Sequence, residues 1–290
     1  MKNVLKTSIK NNLKTILRDP TTILAILAAV IMQFIDGFDW YTGPDGSYVD
    51  TEIYLSERTA VPYILQTARG WVVKPIRTLL FPFIGVIIAV NLFKDRKTGM
   101  FDVISAGQIK FRQYFLSKIL SYYIISVSLC TVLTVVYAAL YIIIQVPQEP
   151  LFEWYQVFIT QAVAMLVSYT SCLWVPVAWV MFWSILTGIP AVGAIFSAVY
   201  RYIPLLFTSF SFSFWESFVH LYPTTLSMYL QSWIRFPFLE FMERKYSGIE
   251  PYWSYTSFPD AVLCYGIQIG IATTLFAVSY FIWKGRVKKG

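Results

Sequence analysis

One histidine, His220, and three cysteines, Cys130, Cys172 and Cys264, are the softest metal ligands in this chain, and no two of them stand at ligand spacing. Each cysteine lies inside an apolar run and reads as a packing residue. A zinc site needs such groups in clusters, so metal catalysis is excluded at the level of sequence and no metal is expected. His220 reads as a loop or interfacial side chain. Asp45, Gly46 and Glu52 match three positions of a calcium loop, but Tyr41 and Gly43 stand where two further ligands belong, so a solvated turn is the better reading. The sequence holds no G-x-S-x-G elbow and no Gly-Lys-Ser or Gly-Lys-Thr to cradle phosphates. No catalytic residue is therefore expected. Any ATP-driven work must draw on ATP-Mg bound by another chain.

The elements that carry these residues are set by composition. Of 290 residues 57% are hydrophobic and only 13% charged, with a mean hydropathy of +0.59, too apolar for a soluble domain. Apolar stretches of about 20 residues suit membrane-spanning helices. They fall at roughly 21–35, 76–93, 119–146, 154–186, 190–212 and 261–283. Their length, without period-two alternation, favours helices over a barrel. The expected fold is an all-α integral membrane protein with six transmembrane helices, an interfacial helix over 1–20 and a permease-like body over 21–290.

Charge orients these spans. Fifteen of the 23 cations fall in segments 1–20, 94–118 and the tail after 283, together with three of the 16 acids, Asp19, Asp95 and Asp102. The remaining acids lie in 36–75, 147–153 and 213–260, which alternate to the other side if the spans number six. Basic loops face the cytoplasm, so both termini are expected there. The net charge of +7 is accounted for by sidedness and calls for no nucleic acid. The start lacks a cleavage site and is expected to be retained.

Along the first eighteen residues a cation recurs every fourth position while Leu5, Ile9, Leu13, Ile16 and Leu17 form an apolar stripe, the pattern of an amphipathic helix on the inner leaflet. Asp19-Pro20 then fits an N-cap followed by proline in the first helical turn, restarting the chain as a span. "LTGIP" at 186–190 predicts a tight turn between the fourth and fifth spans. The stretch before it is too long for one upright span and must tilt, bend at Pro176 or project. Segment 213–260 is external yet apolar, which suggests short helices that re-enter or lie along the outer leaflet. Arg201 is the single charge in 154–212: either it lines a translocation path or meets a neighbouring subunit, or the span boundary lies nearby and it snorkels. Gly266 and Gly270 form a G-x-x-x-G that lets another helix approach.

The segment "FKDRKTGMFDVISAGQIKFRQYFLSK" at 93–118 concentrates eight charges. Met100, Phe101 and Ile104 share one face of a short helix, Arg96, Lys97 and Asp102 surround it, and Gly107 can end it. In the order Asp95-Arg96, Thr98-Gly99, Asp102, Ala106-Gly107 and Lys118, this stretch resembles the first cytoplasmic loop of ABC type-2 transporter permeases. The basic amphipathic start, six spans, tight fourth turn and half-buried external segment extend the resemblance over nearly the whole chain. It departs from the family pattern in having Thr-Gly for Gly-Thr and Asp95 for Glu.

The resemblance implies the permease subunit of an ATP-binding cassette exporter in a cell membrane, bacterial by type, moving an amphiphilic peptide, drug or lipid outward. It implies two copies of a cytoplasmic ATPase, a second permease chain in a homodimer or heterodimer, and contact with membrane lipid. The coupling helix that sits in the ATPase would include Lys97, Thr98, Gly99, Met100, Phe101, Asp102, Ile104 and Gly107. The alternatives in other classes are a non-transporting scaffold or sensor subunit, and a secondary transporter, which the lack of acids within the spans disfavours.

Overall fold

The computed structural model describes residues 2–38, 74–97, 104, 110–145, 166, 170, 173–199 and 258–287. Among them every element is a helix: α1 Lys2–Leu17, α2 Pro20–Phe38, α3 Lys74–Lys97, α4 Phe111–Gln145, α5 Trp174–Thr187, α6 Pro190–Val199 and α7 Phe258–Val287. Two are long and apolar enough to cross a membrane, over Phe111–Val136 and Tyr265–Arg286. A third span results if Leu5–Leu17 and Pro20–Met32, bent by 67°, count as one.

That bend is built as the sequence predicts. Asp19 Oδ1 accepts a hydrogen bond from the Thr21 amide at 3.0 Å, and Pro20, with no amide proton to satisfy, opens α2. On α1 the lysines at 6, 10 and 14 are exposed while Ile16 is fully buried and Leu13 packs against the core. The stripe is thus partly used inside the protein: Asn12 Nδ2 donates to Ser117 Oγ at 3.1 Å, tying α1 to α4.

The core is made by close helix approach. Gly188 takes a left-handed φ of 72° and ends α5, and the Ile189 amide bonds Thr187 Oγ1 at 3.2 Å, closing the "LTGIP" turn. This folds α6 back along α5. A Cβ at Gly193 would lie 2.0 Å from Ser184 Oγ and 2.6 Å from the Val180 carbonyl. On the other side of α6, a Cβ at Gly85 would lie 2.5 Å from Ser197 Cβ. Short α6 is therefore wedged between α5 and α3, with glycines at both contacts. Around the wedge, Ile84, Ile87 and Ile88 of α3, Val177 and Met181 of α5, and Tyr122 of α4 are shut off from solvent. Pro176 falls in the first turn of α5, where the missing amide proton breaks no helical bond.

The outward faces are aliphatic. Leu24, Leu27 and Ile31 of α2, Val132 and Val135 of α4, and Leu263 and Phe281 of α7 are exposed. Such a surface is unfavourable in water and matches hydrocarbon, as the span-length helices require. The chain is a membrane protein.

Candidate functional site

Five helix ends and one turn meet at a single face of the bundle, and the contacts that join them are polar. At the start of α2, Asp19 Oδ2 pairs with Lys94 Nζ of α3 at 2.5 Å. Burial pushes the Asp19 carboxyl up, but the Lys94 ammonium and the Thr21 amide outweigh it, and the net shift is below the usual carboxylate value of 3.8.

The next residue of α3, Asp95, meets two groups of α4. Its Oδ2 accepts from Tyr114 Oη at 2.8 Å and pairs with Lys118 Nζ at 2.6 Å. The Lys118 side chain is 4% exposed and that of Asp95 13%. The ammonium also lies 5.7 Å from the Tyr114 ring centroid and 6.0 Å from that of Tyr122. Taking a lysine out of water is costly, and only a partner of opposite charge with supporting donors and aromatic faces offsets the loss. The sequence signal for this cage is the spacing of Tyr114, Lys118 and Tyr122, at i, i+4 and i+8, which places all three on one face of α4.

From α4 the chain of contacts passes to α7. Trp283 stands edge-on to Tyr114 and Phe111 with centroids 5.5 and 6.0 Å away. One turn on, Arg286 donates through Nη1 to the Ile185 carbonyl and through Nη2 to the Leu186 carbonyl, the latter at 2.8 Å. These are carbonyls of the last turn of α5, which lack helical partners, and a cation there also meets the negative end of the helix dipole. The "LTGIP" turn and the start of α6 complete the face.

The order of these ends is informative. The first residues of α2, α4 and α6 and the last residues of α3, α5 and α7 lie on the one face, so the six helices run alternately up and down from it. The same face gathers Arg18, Lys94, Lys97, Lys110, Arg112, Lys284 and Arg286. It is a basic face with fixed corners.

Of the residues expected to couple to a partner, Lys97 ends α3 and is exposed on this face. Ile104 is 6% exposed and belongs to the hydrophobic core of the bundle, so its side chain faces the chain's own helices. Thr98, Gly99, Met100, Phe101, Asp102 and Gly107 lie outside the described residues, as do Arg201, His220 and all of 39–73 and 200–257, which hold most of the two segments expected to be external, 36–75 and 213–260. A Cβ at Gly266 or Gly270 would meet no described atom within 4 Å, so among the described residues the close helix approaches at glycine are those of Gly193 and Gly85. Cys130 is buried in the core as a packing residue.

This arrangement holds helix ends in register and leaves a charged, exposed rim for a partner or a lipid surface. Family models, curated proteins and solved structures yield no match to this chain.

Proposed function

We propose that the chain is the membrane subunit of an ATP-driven exporter, with six spans, both termini in the cytoplasm, and energy supplied by a separate ATPase seated on the basic face. The observation that carries this reading is the rooting of the loop between α3 and α4. Its two ends are locked by the buried Asp95–Lys118 pair and Tyr114, and Ile104 from its middle is packed into the bundle. The ends of α3 and α4 are thus tied to each other and Ile104 to the bundle, which is what a lever between a soluble motor and membrane helices would need at its base.

The alternation of six helix ends about one basic face supports the six-span topology, and the positive-inside rule assigns that face to the cytoplasm. ATP binding would draw two ATPases together, the rooted loops would transmit the movement, and the path between two permease chains would open outward. The chain's own part is conformational.

With Ile104 turned inward, Met100 and Phe101 remain as the members of the expected coupling face that would meet the motor. The test is purification of the tagged chain from its native membranes with mass-spectrometric identification of its companions. A companion carrying a Gly-Lys-Ser or Gly-Lys-Thr loop is expected with the wild type and lost with Phe101→Asp. Equal recovery from both would remove the coupling role. Recovery of the chain with no such companion would favour a scaffold or sensor.

A further inference from the structure

Away from the Asp95 cage, α4 and α7 touch through aromatic rings near the basic face and leave an apolar groove of about 880 Å³ between them. Its walls are Phe115 and Ile119 of α4 and Ala272 and Phe276 of α7, and Leu5 of α1 closes one side. Arg112 is the one charged residue lining it, at the end that meets the basic face. Arg112 is exposed and makes no ion pair among the described residues. Lys284 stands near the same mouth, its Nζ 5.6 Å from the ring centroid of Tyr280, which also lines the groove.

Length and charge together select an occupant. From Phe281 to Ile269 the groove follows α7 for about 18 Å at 1.5 Å per residue. That is close to the depth of one leaflet, half of a hydrocarbon core of about 30 Å. A ligand here needs an apolar tail of leaflet length and an anionic group at the cytoplasmic interface. Water in so apolar a channel finds few partners.

We infer that this groove holds one anionic phospholipid of the inner leaflet, an acyl chain lying along Phe115, Ile119 and Phe276 and the phosphate on Arg112 with Lys284 beside it. The lipid would fill the gap that α4 and α7 leave and bond α1 to both through Leu5. It is a fixed component of the subunit, distinct from cargo, and it stands whether or not the chain exports anything.

The test uses the full chain reconstituted in vesicles of equal phosphatidylglycerol and phosphatidylcholine, re-extracted in mild detergent and weighed intact by native mass spectrometry. The wild type should retain one lipid per chain, enriched in phosphatidylglycerol. A cation at the membrane surface favours anionic lipid roughly fivefold, so Arg112→Gln should lower that enrichment by about that factor while a lipid is still held. Ala277→Trp, at an exposed position lining the groove, should abolish retention with the chain still monodisperse. Retention of both lipids in their vesicle ratio by the wild type would overturn the assignment of the phosphate to Arg112. Undiminished retention by Ala277→Trp, or a chain dimer that Ala277→Trp dissociates, would overturn the groove as a lipid site.

Discussion

Lys118 is the residue on which the basic face depends most. It is buried with an acid, a phenol and two rings about it, and each partner loses its reason for being buried if the ammonium is removed. Breaking one side of a buried pair leaves an unpaired charge and costs about 3–5 kcal/mol, whereas removing both charges is far milder. Lys118→Met should therefore lower the thermal midpoint of the purified chain sharply, and the double variant Asp95→Asn with Lys118→Met should recover most of the loss. Additive losses would mean the pair is not coupled.

Asp19 has a different dependence on conditions. Its carboxyl titrates lower when folded than the ordinary value of 3.8, so the unfolded chain binds the proton more readily. Its stabilisation is fully present above that value and is lost as the pH falls through the lower folded value. Asp19→Asn keeps an N-cap acceptor but loses the Lys94 pair. It should flatten the acid limb of the stability profile below about pH 4 while leaving α2 capped. An unchanged acid limb would show that Asp19 does not set it. Asp19 was visible in the sequence as a cap and as a member of a basic segment, but its partner on another helix was not. Lys94 lies 75 positions from Asp19, and Arg286 reaches a carbonyl 101 positions away. Spacing along a chain carries no signal over such separations.

At the scale of elements, what local chemistry determines was legible. Asp19-Pro20 predicted both the end of α1 and the start of α2, and "LTGIP" predicted the reversal at Gly188, because capping and positive φ are properties of a few adjacent residues. The wedge of α6 was not. Among the described residues the glycines that let helices of this chain touch are Gly193 and Gly85, more than 100 positions apart and in no recognisable motif. The side chain a glycine must yield to belongs to another helix. Gly193→Leu would drive a branched side chain into Ser184 and the Val180 backbone, and overpacking of this kind costs about 1–3 kcal/mol or more. It should lower the thermal midpoint well beyond Gly266→Leu, whose Cβ meets no described atom within 4 Å; equal effects would contradict the wedge.

At the scale of the whole molecule, composition made the membrane legible, and the described helices agree with it. The expected sidedness rests on charge, and the structure adds the reason the charges can act together: alternate helix ends converge on one face. In a background with Cys130, Cys172 and Cys264 replaced, an impermeant thiol reagent applied to intact cells should label Asp45→Cys and spare Lys97→Cys and Lys288→Cys, which react once the membrane is opened. Labelling of Lys97→Cys from outside would reverse the topology. If the basic face receives an ATP-driven motor, ATP hydrolysis can be measured in the complex purified through the tagged chain. Hydrolysis should co-elute with the wild type and disappear with Phe101→Asp at equal yield of the chain. Wild-type chain that elutes intact with no ATP hydrolysis, or hydrolysis undiminished in Phe101→Asp, would contradict a motor seated there.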